Sequence, residues 1–514
     1  MKINQLKLGT ILSYLQTILA TVIGIAYTPV MIRLLGQSEY GLYNTVSSTV
    51  AMLSLLNLGF NSGYVRFYSK YKKEDDGDSI AKLNGLYLII FIIMGAVALV
   101  CGLFLSFNLN LVFDSGLTSA EYGTARVLFI LLTINMATSF PMNIFVCIIL
   151  AQERFVFVKL LTLVKTVVSP LVTLPILLMG YRSIAMVLIT VILTFIIDVF
   201  YIVYSYAILK TRFVFHDFEN GLLKKLFKFT FFIALNMLVD QINTNLDKTI
   251  LGRFCGTASV AVYSVGYSLY SYYMSLSMSV SGVFTPRIHN IVVTNEDVKI
   301  RKEKLTELFI KVGRIQYLIL ALFATGILFW GKYFIMNFWA GPEYSESYYV
   351  AILLIIPATV PFIQNVGIEI QRAHNLHQFR GIIYFFMAIV NIGLSILFIQ
   401  KFGTIGAPLG TAISFILANG VIMNVFYHKK CNIDIKAFWK SILSLSKGLF
   451  IPIVAGIIMV NIFEIDTLLM FSLMVIIYTM IYFVSMWLFG MDDREKNLLL
   501  KPLRKINKNK RDMS

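Results

Sequence analysis

About fourteen apolar runs, each about 18–27 residues long and divided by short polar turns, leave this chain little choice of fold. About twenty apolar residues in a helix, at 1.5 Å per residue, span a hydrocarbon core about 30 Å thick. The runs fall near 8–32, 41–65, 83–107, 124–149, 156–180 and 183–209, then 226–251, 258–285, 308–335, 347–370, 381–400 and 404–427. Two more follow near 443–462 and 466–489. Only 14% of the residues are charged and 58% are hydrophobic, against about a quarter charged in soluble domains. The ten-residue alternation of a membrane β-barrel is absent. The expected fold is an all-α integral membrane protein of about fourteen transmembrane helices.

The net charge of +17 suggests nucleic acid in a soluble chain. Here its placement argues for topology instead, with no nucleic-acid partner. Turns on one side carry Arg66, Lys70, Lys72, Lys73, Lys224, Lys225, Arg301, Lys302, Lys429, Lys430 and the basic tail. The opposite turns and helix ends hold only Arg33, Arg126, Arg182, Lys248, Arg253, Lys332 and Lys401. Basic residues concentrate on the cytoplasmic side, so both termini are expected inside, with an even number of spans. The first run, preceded by Lys2 and Lys7, reads as a retained span rather than a cleaved signal. No outer turn is long enough for an extracellular domain.

The order of residues also suggests duplication. Arg33, Gly36 and Tyr43 recur as Arg253, Gly256 and Tyr263, a shift of 220. Arg66 matches Arg287, Ala151 matches Ala373, and Gly180 and Ala185 match Gly403 and Ala407, at shifts of 221 to 223. Six spans per copy is an even number, so the copies share one orientation. The expected organisation is a six-helix lobe at 1–210, a second at 211–428, two extra helices at 429–490 and a basic tail at 491–514.

Chemistry in such a chain resides in polar residues deep within spans. The seventh span carries Asn236, Asp240, Asn243 and Asp247, which fall within roughly a 60° arc of a regular helix. Asp240 with Asn236 and Asn243 reads as a cation or proton site, and Asn391 of the eleventh span as a partner. Asp247 beside Lys248 reads more simply as an interfacial pair. Lys165, near the middle of the fifth span, needs an anion, a cavity or a carboxylate. It either faces an anionic cargo or pairs with Asp198 of the sixth span. Arg66 and Arg287 close inner helix ends, where they serve as anchors or hold a phosphate between them. The small-residue stripe Ser13, Thr17, Thr21, Gly24 and Thr28 reads as helix packing. Cys101, Cys147, Cys255 and Cys431 form no disulfide or metal-ligand pattern. There is no phosphate-binding loop, and no enzyme is indicated.

The run Arg33-Leu34-Leu35-Gly36-Gln37-Ser38-Glu39-Tyr40-Gly41-Leu42-Tyr43, then Asn57-Leu58-Gly59-Phe60-Asn61-Ser62-Gly63 and Arg66, resembles the opening of bacterial polysaccharide flippases. Asp247-Lys248-Thr249-Ile250-Leu251-Gly252 and Gly403-Thr404-Ile405-Gly406-Ala407 fit the same family, within the multidrug/oligosaccharidyl-lipid/polysaccharide exporter superfamily. The resemblance extends over nearly the whole chain, the last two helices included. It implies a V-shaped bundle of two six-helix lobes around a cation-lined cavity in the bacterial cytoplasmic membrane. The implied cargo is an undecaprenyl-diphosphate-linked oligosaccharide moved from the inner to the outer leaflet. Polysaccharide polymerase and glycosyltransferases are implied as partners besides the lipid bilayer. Relatives in the superfamily use a carboxylate in or near helix seven for cations, which points to Asp240 with Asn391 and to Na⁺ or H⁺ coupling. An arginine that peptidoglycan-precursor flippases carry in the middle of span one is missing here, which favours the capsule and O-antigen branch.

The expected mechanism is alternating access. Lys165, Arg66 and Arg287 attract the diphosphate, and a cation at Asp240 biases the lobes. The alternatives are a cation-coupled multidrug antiporter, a peptidoglycan-precursor flippase and a non-transporting scaffold for glycan synthases.

Overall fold

In a bilayer each backbone polar group must be satisfied inside its own segment, which selects helices for apolar runs of this length. The computed structural model describes residues 5–113, 117–219, 221–294, 297–374, 376–465 and 467–497, and among them there is no strand. Most of the basic tail expected at 491–514, from 498 onward, lies outside the described residues. The helices run α1 Gln5–Leu35, α2 Gln37–Ala51, α3 Phe60–Lys73, α4 Gly77–Phe107, α5 Ser119–Ala151, α6 Phe155–Leu178 and α7 Ser183–Val203. They continue as α8 Leu222–Gln241, α9 Asp247–Phe254, α10 Gly256–Ser281, α11 Thr285–Thr294, α12 Val298–Tyr333, α13 Ser347–Ile363 and α14 Val366–Ala373. The last are α15 His377–Phe402, α16 Gly406–Phe415, α17 Asn424–Lys429, α18 Ile435–Ser446, α19 Phe450–Ile462 and α20 Leu468–Ser485.

Side-chain caps set several boundaries. Asp76 accepts from the Ser79 amide at 2.8 Å and starts α4, so Asp76-Gly77-Asp78 is a helix start as well as a turn. Thr118 and Glu121 cap α5 reciprocally, and Asp434 accepts from the Ala437 amide at 3.1 Å to start α18.

Ten helical segments among the described residues are long and apolar enough to cross a membrane, against about fourteen expected. One of the ten, Gln378–Lys429, covers both the eleventh and twelfth expected spans and is broken at Gly403, whose φ is 58°. Three expected spans are helical without meeting that measure. The run 41–65 divides into α2 and α3 through a 3-10 stretch and the left-handed pair Leu58 and Gly59. The run 226–251 is interrupted by a π turn over Ile242–Leu246, and 258–285 is rich in Ser and Tyr. Spans elsewhere turn large apolar side chains outward: Leu171 is 65% exposed, Phe450 72% and Leu469 74%. A soluble protein seldom carries so much exposed apolar surface, and a lipid-facing one must. The chain is a multi-pass membrane protein.

The glycines matched in the expected repeat share a left-handed backbone. Gly36 and Gly256, 220 residues apart, take φ of 76° and 80°, and Gly180 and Gly403 take 88° and 58°. A Cβ at any of the four would meet nothing within 4 Å, so backbone conformation rather than space calls for glycine.

The chain forms two compact units, each assembled from separate stretches of sequence. One comprises 1–266, 339–347 and 381–411; the other comprises 267–338, 348–380 and 412–514. In the first, α4 packs on α5 and α1 on α6. The segment 209–221 is bound to α3 and α4: Val214 N–H donates to the Ala81 carbonyl at 3.0 Å and Asn84 Nδ2 to the Arg212 carbonyl at 2.9 Å. Glu219 accepts from Tyr71 Oη and Lys225 Nζ, each at 2.6 Å. The ammonium and then the phenol hold the Glu219 carboxyl below its usual range, and burial, then that carboxylate, push the Tyr71 phenol up.

In the second unit, α12 is 36 residues long, about 54 Å, and so extends well past a 30 Å core. Midway along it, Arg314 is buried and donates to both carboxylate oxygens of Glu495 at 2.7 Å. It also reaches the Ser441 carbonyl at 2.9 Å and the Gly490 carbonyl at 3.2 Å, which ties α18 and the segment after α20 to α12.

Candidate functional site

The polar stripe expected on the seventh span assumes 100° per residue throughout. The π turn at Ile242–Leu246 breaks that assumption, because its wider loop holds about one extra residue and shifts the phase by roughly 100°. Asp240 precedes it and is exposed, while Asn236 and Asn243 are half-buried. Asn236 lies against Gly381 at the start of α15, its Nδ2 3.3 Å from where a Cβ would stand. Asp247 follows the turn and is 2% exposed.

Three hydroxyls surround the Asp247 carboxylate. Its Oδ2 accepts from Thr411 Oγ1 at 2.8 Å and Tyr263 Oη at 2.9 Å, and its Oδ1 accepts from Ser395 Oγ at 3.3 Å. Asn391 Oδ1 lies 3.3 Å from Ser395 Oγ and 3.4 Å from Thr411 Oγ1. Each hydroxyl has one proton, so the carboxylate and the amide oxygen compete for the same donors. Asn391 therefore belongs to the Asp247 set through Ser395 and Thr411. Asp247, expected to form an interfacial pair with Lys248, takes these three hydroxyls as its hydrogen-bond donors. One carboxylate among hydroxyl and amide oxygens suits a proton or a monovalent cation; a divalent ion takes more charged ligands. Among the described residues no group of three His, Cys, Asp or Glu could hold a metal.

Lys165 is half-buried on α6 and donates to Thr194 Oγ1 on α7 at 2.7 Å, with Asp198 one turn further along α7. Arg66 is exposed on α3, its guanidinium 4.2 Å from the centre of the Phe229 ring on α8. Arg287 is exposed on α11.

Sequence reasoning missed a second polar set on the same helix. Gln241 Nε2 donates to Ser54 Oγ at 2.9 Å, Asn245 Nδ2 donates to Gln241 Oε1 at 2.5 Å, and the Thr49 and Thr249 hydroxyls lie 3.1 Å apart. The signal was present in Gly41, Thr45 and Thr49, small residues at helical spacing in the second span.

The chain is thus a many-span helical protein with a carboxylate sequestered among hydroxyls and a lysine inside a span. The solved structure of the lipid II flippase MurJ in an inward closed conformation matches it with a TM-score of 0.68 at 17% identity, over 96% of this chain and 99% of that one. An inward-facing multidrug resistance MATE family transporter matches with 0.59 at 14% identity, over 82% of this chain and 99% of its own. A point mutant of the Vibrio cholerae MATE transporter VcmN matches with 0.54 at 12% identity, over 83% and 99%. A search of curated proteins gives no match to the sequence. Residues 6–292 match the model of the polysaccharide biosynthesis protein family, and the chain belongs to that family, within the multidrug/oligosaccharidyl-lipid/polysaccharide exporter superfamily.

Proposed function

We propose that this protein is a flippase that carries a polyprenyl-diphosphate-linked oligosaccharide from the inner to the outer leaflet of the bacterial cytoplasmic membrane by alternating access. The observation that carries this reading, beside the family, is the extent of the two likenesses. The flippase fold extends over 96% of the chain and the first multidrug fold over 82%. The difference is about 70 residues, the length of two spanning helices and their turns. That supports a lipid-cargo carrier over a multidrug antiporter.

Lys165 is the cation inside the membrane that meets the diphosphate, and Arg66 and Arg287 draw it from the inner surface. Both termini lie inside, where the basic residues concentrate. Transport is coupled to Na⁺ or H⁺, and Asp247 is the coupling group rather than Asp240, with Asn391, Ser395 and Thr411 as the remaining oxygens. An ion drives the cycle only if it binds two conformations with different affinity. A carboxylate already surrounded by donors changes affinity sharply when one of them withdraws.

The test is deletion of the gene with analysis of lipid-linked intermediates, followed by rescue. Wild type should clear the accumulated intermediate and Lys165→Glu should not. Drug sensitivity without an accumulated glycan lipid would instead support the antiporter.

A further inference from the structure

The segment 209–221, between the two copies of the expected repeat, begins on a left-handed residue that is not glycine. Lys210 has φ of 50°, and the amides on either side of it, Leu209 and Thr211, donate back to the Tyr204 and Ser205 carbonyls at 3.2 and 3.1 Å. Helices commonly end on such a residue, and it is usually glycine, because a Cβ is crowded there. Nothing in the turn itself calls for a lysine. Side chains held in a disfavoured backbone conformation cluster at functional sites.

Beyond the turn the chain is pinned to α4. Asn84 holds the Arg212 carbonyl, and the Val214 carbonyl comes so close to Gly85 that a Cβ there would stand 1.9 Å from its oxygen. Lys210 and Arg212 are thereby fixed at one wall of a cavity of about 170 Å³. Its other walls come from α3, α4 and α5, through Tyr68, Ala81 and Ile148. Every lining residue lies in the first unit. Water takes about 30 Å³ per molecule, so the space suits about five or six heavy atoms, the size of one phosphate group.

The lining carries these two cations and no carboxylate. Among the described residues, neither the Lys210 nor the Arg212 side chain is engaged in an ion pair or a hydrogen bond. The acids nearby are committed elsewhere. Asp76 accepts from the Ser79 amide at 2.8 Å and its hydroxyl at 2.5 Å, Asp78 pairs with Lys82 at 2.8 Å, and Asp217 lies against His216 at 3.0 Å. Glu153 is exposed and lines no part of the cavity. Two like charges at one small cavity repel, and an anion between them removes the repulsion. Arginine offers a fork of donors and lysine a compact charge, both of which phosphate oxygens accept.

We propose that this cavity is a phosphate-binding site, which holds one phosphate group between Lys210 and Arg212 on the side of the membrane where the basic residues concentrate. Once bound, the group ties the segment between the repeats to α3 and α5. The inference goes beyond the flippase reading and stands without it. A free phosphate ion and the headgroup of an anionic lipid present the same chemistry there, and the test separates them.

The test uses the purified full chain, in detergent with inorganic phosphate and in phosphatidylcholine nanodiscs with and without phosphatidate. At least one probe should raise the unfolding temperature of the wild type, and the probe that does so identifies the source. Arg212→Gln should shift half-saturation by about tenfold or more, the loss of one charge-assisted hydrogen bond. Lys210→Gly should lose the same response and yet, without ligand, unfold no lower than the wild type, since glycine takes positive φ without strain. Arg154→Gln removes an exposed cation that lines no part of the cavity, and should respond as the wild type does. No response to either probe, or an equal loss in Arg154→Gln, would overturn the site. A lower unfolding temperature for ligand-free Lys210→Gly would make the lysine structural and overturn it as well.

Discussion

The Asp247 carboxylate and the Thr411 hydroxyl lie 2.8 Å apart, although 164 residues separate them in the chain. This contact joins α9 to α16 and makes the carboxylate sensitive to any movement between those helices. Asp247→Asn keeps the shape and removes the charge. Export should fall on the order of tenfold or more, the range of ordinary coupling free energies, while folded yield stays near wild type. Asp240→Asn, at an exposed position, should leave export within about twofold. Accumulated lipid-linked intermediate in cells carrying each variant measures both. The reverse order of effects would return the coupling role to Asp240.

Thr411→Val removes a donor from the same carboxylate without changing side-chain volume much. A buried acceptor that loses a charge-assisted partner is destabilised by about 1–3 kcal/mol. The expected result is a shifted dependence of transport on Na⁺ or H⁺ at constant cargo, read by titrating each ion in proteoliposomes.

Gly41 and Gly36 are five residues apart and should respond differently to alanine. At Gly41 the methyl would collide with the Thr257 carbonyl, and overpacking of this kind costs about 1–3 kcal/mol or more. At Gly36 there is open space, so only the positive φ is strained, by about 1–2 kcal/mol. Thermal unfolding in detergent should place Gly41→Ala below Gly36→Ala.

Glu495→Ala leaves the Arg314 guanidinium buried without its hydrogen-bonded carboxylate, though two backbone carbonyls remain and Asp492 Oδ2 lies 3.8 Å from its Nε. Removal of one partner of a buried pair typically costs about 3–5 kcal/mol. The change should show as a lower unfolding temperature and faster tryptic cleavage near α18 and in the segment after α20. Arg314→Met with Glu495→Leu should recover much of the loss.

The Glu219 carboxyl is held below its usual range in the folded protein, with Lys225 the main cause. The folded state therefore binds fewer protons than the unfolded one across that interval. Its contribution to stability is complete above the unfolded value, about 4.5, and is lost as pH falls through the lower folded value. The partners are partly exposed, so the contribution is below about 1 kcal/mol. The difference in unfolding temperature between wild type and Glu219→Gln should vanish as pH drops from about 5 to 3.

The sequence alone determined that the chain is helical and spans a membrane, because apolar runs of spanning length admit no other stable backbone in lipid. It suggested a repeat as well, and the matched glycines, Gly36 with Gly256 and Gly180 with Gly403, all take positive φ, which glycine adopts without steric cost. Lys165 stood out because a lysine inside an apolar run always needs a partner. What the tertiary structure decided was the direction in which each polar side chain faces. A single π turn, which no periodicity reveals, exposes Asp240 and buries Asp247. Ser395 and Thr411 then join Asp247 through contacts more than a hundred residues long in sequence, and Asn391 joins the set through Ser395 and Thr411. Local pattern carries the phase of a regular helix; a change of phase, and the neighbours it selects, arise only when the helices pack.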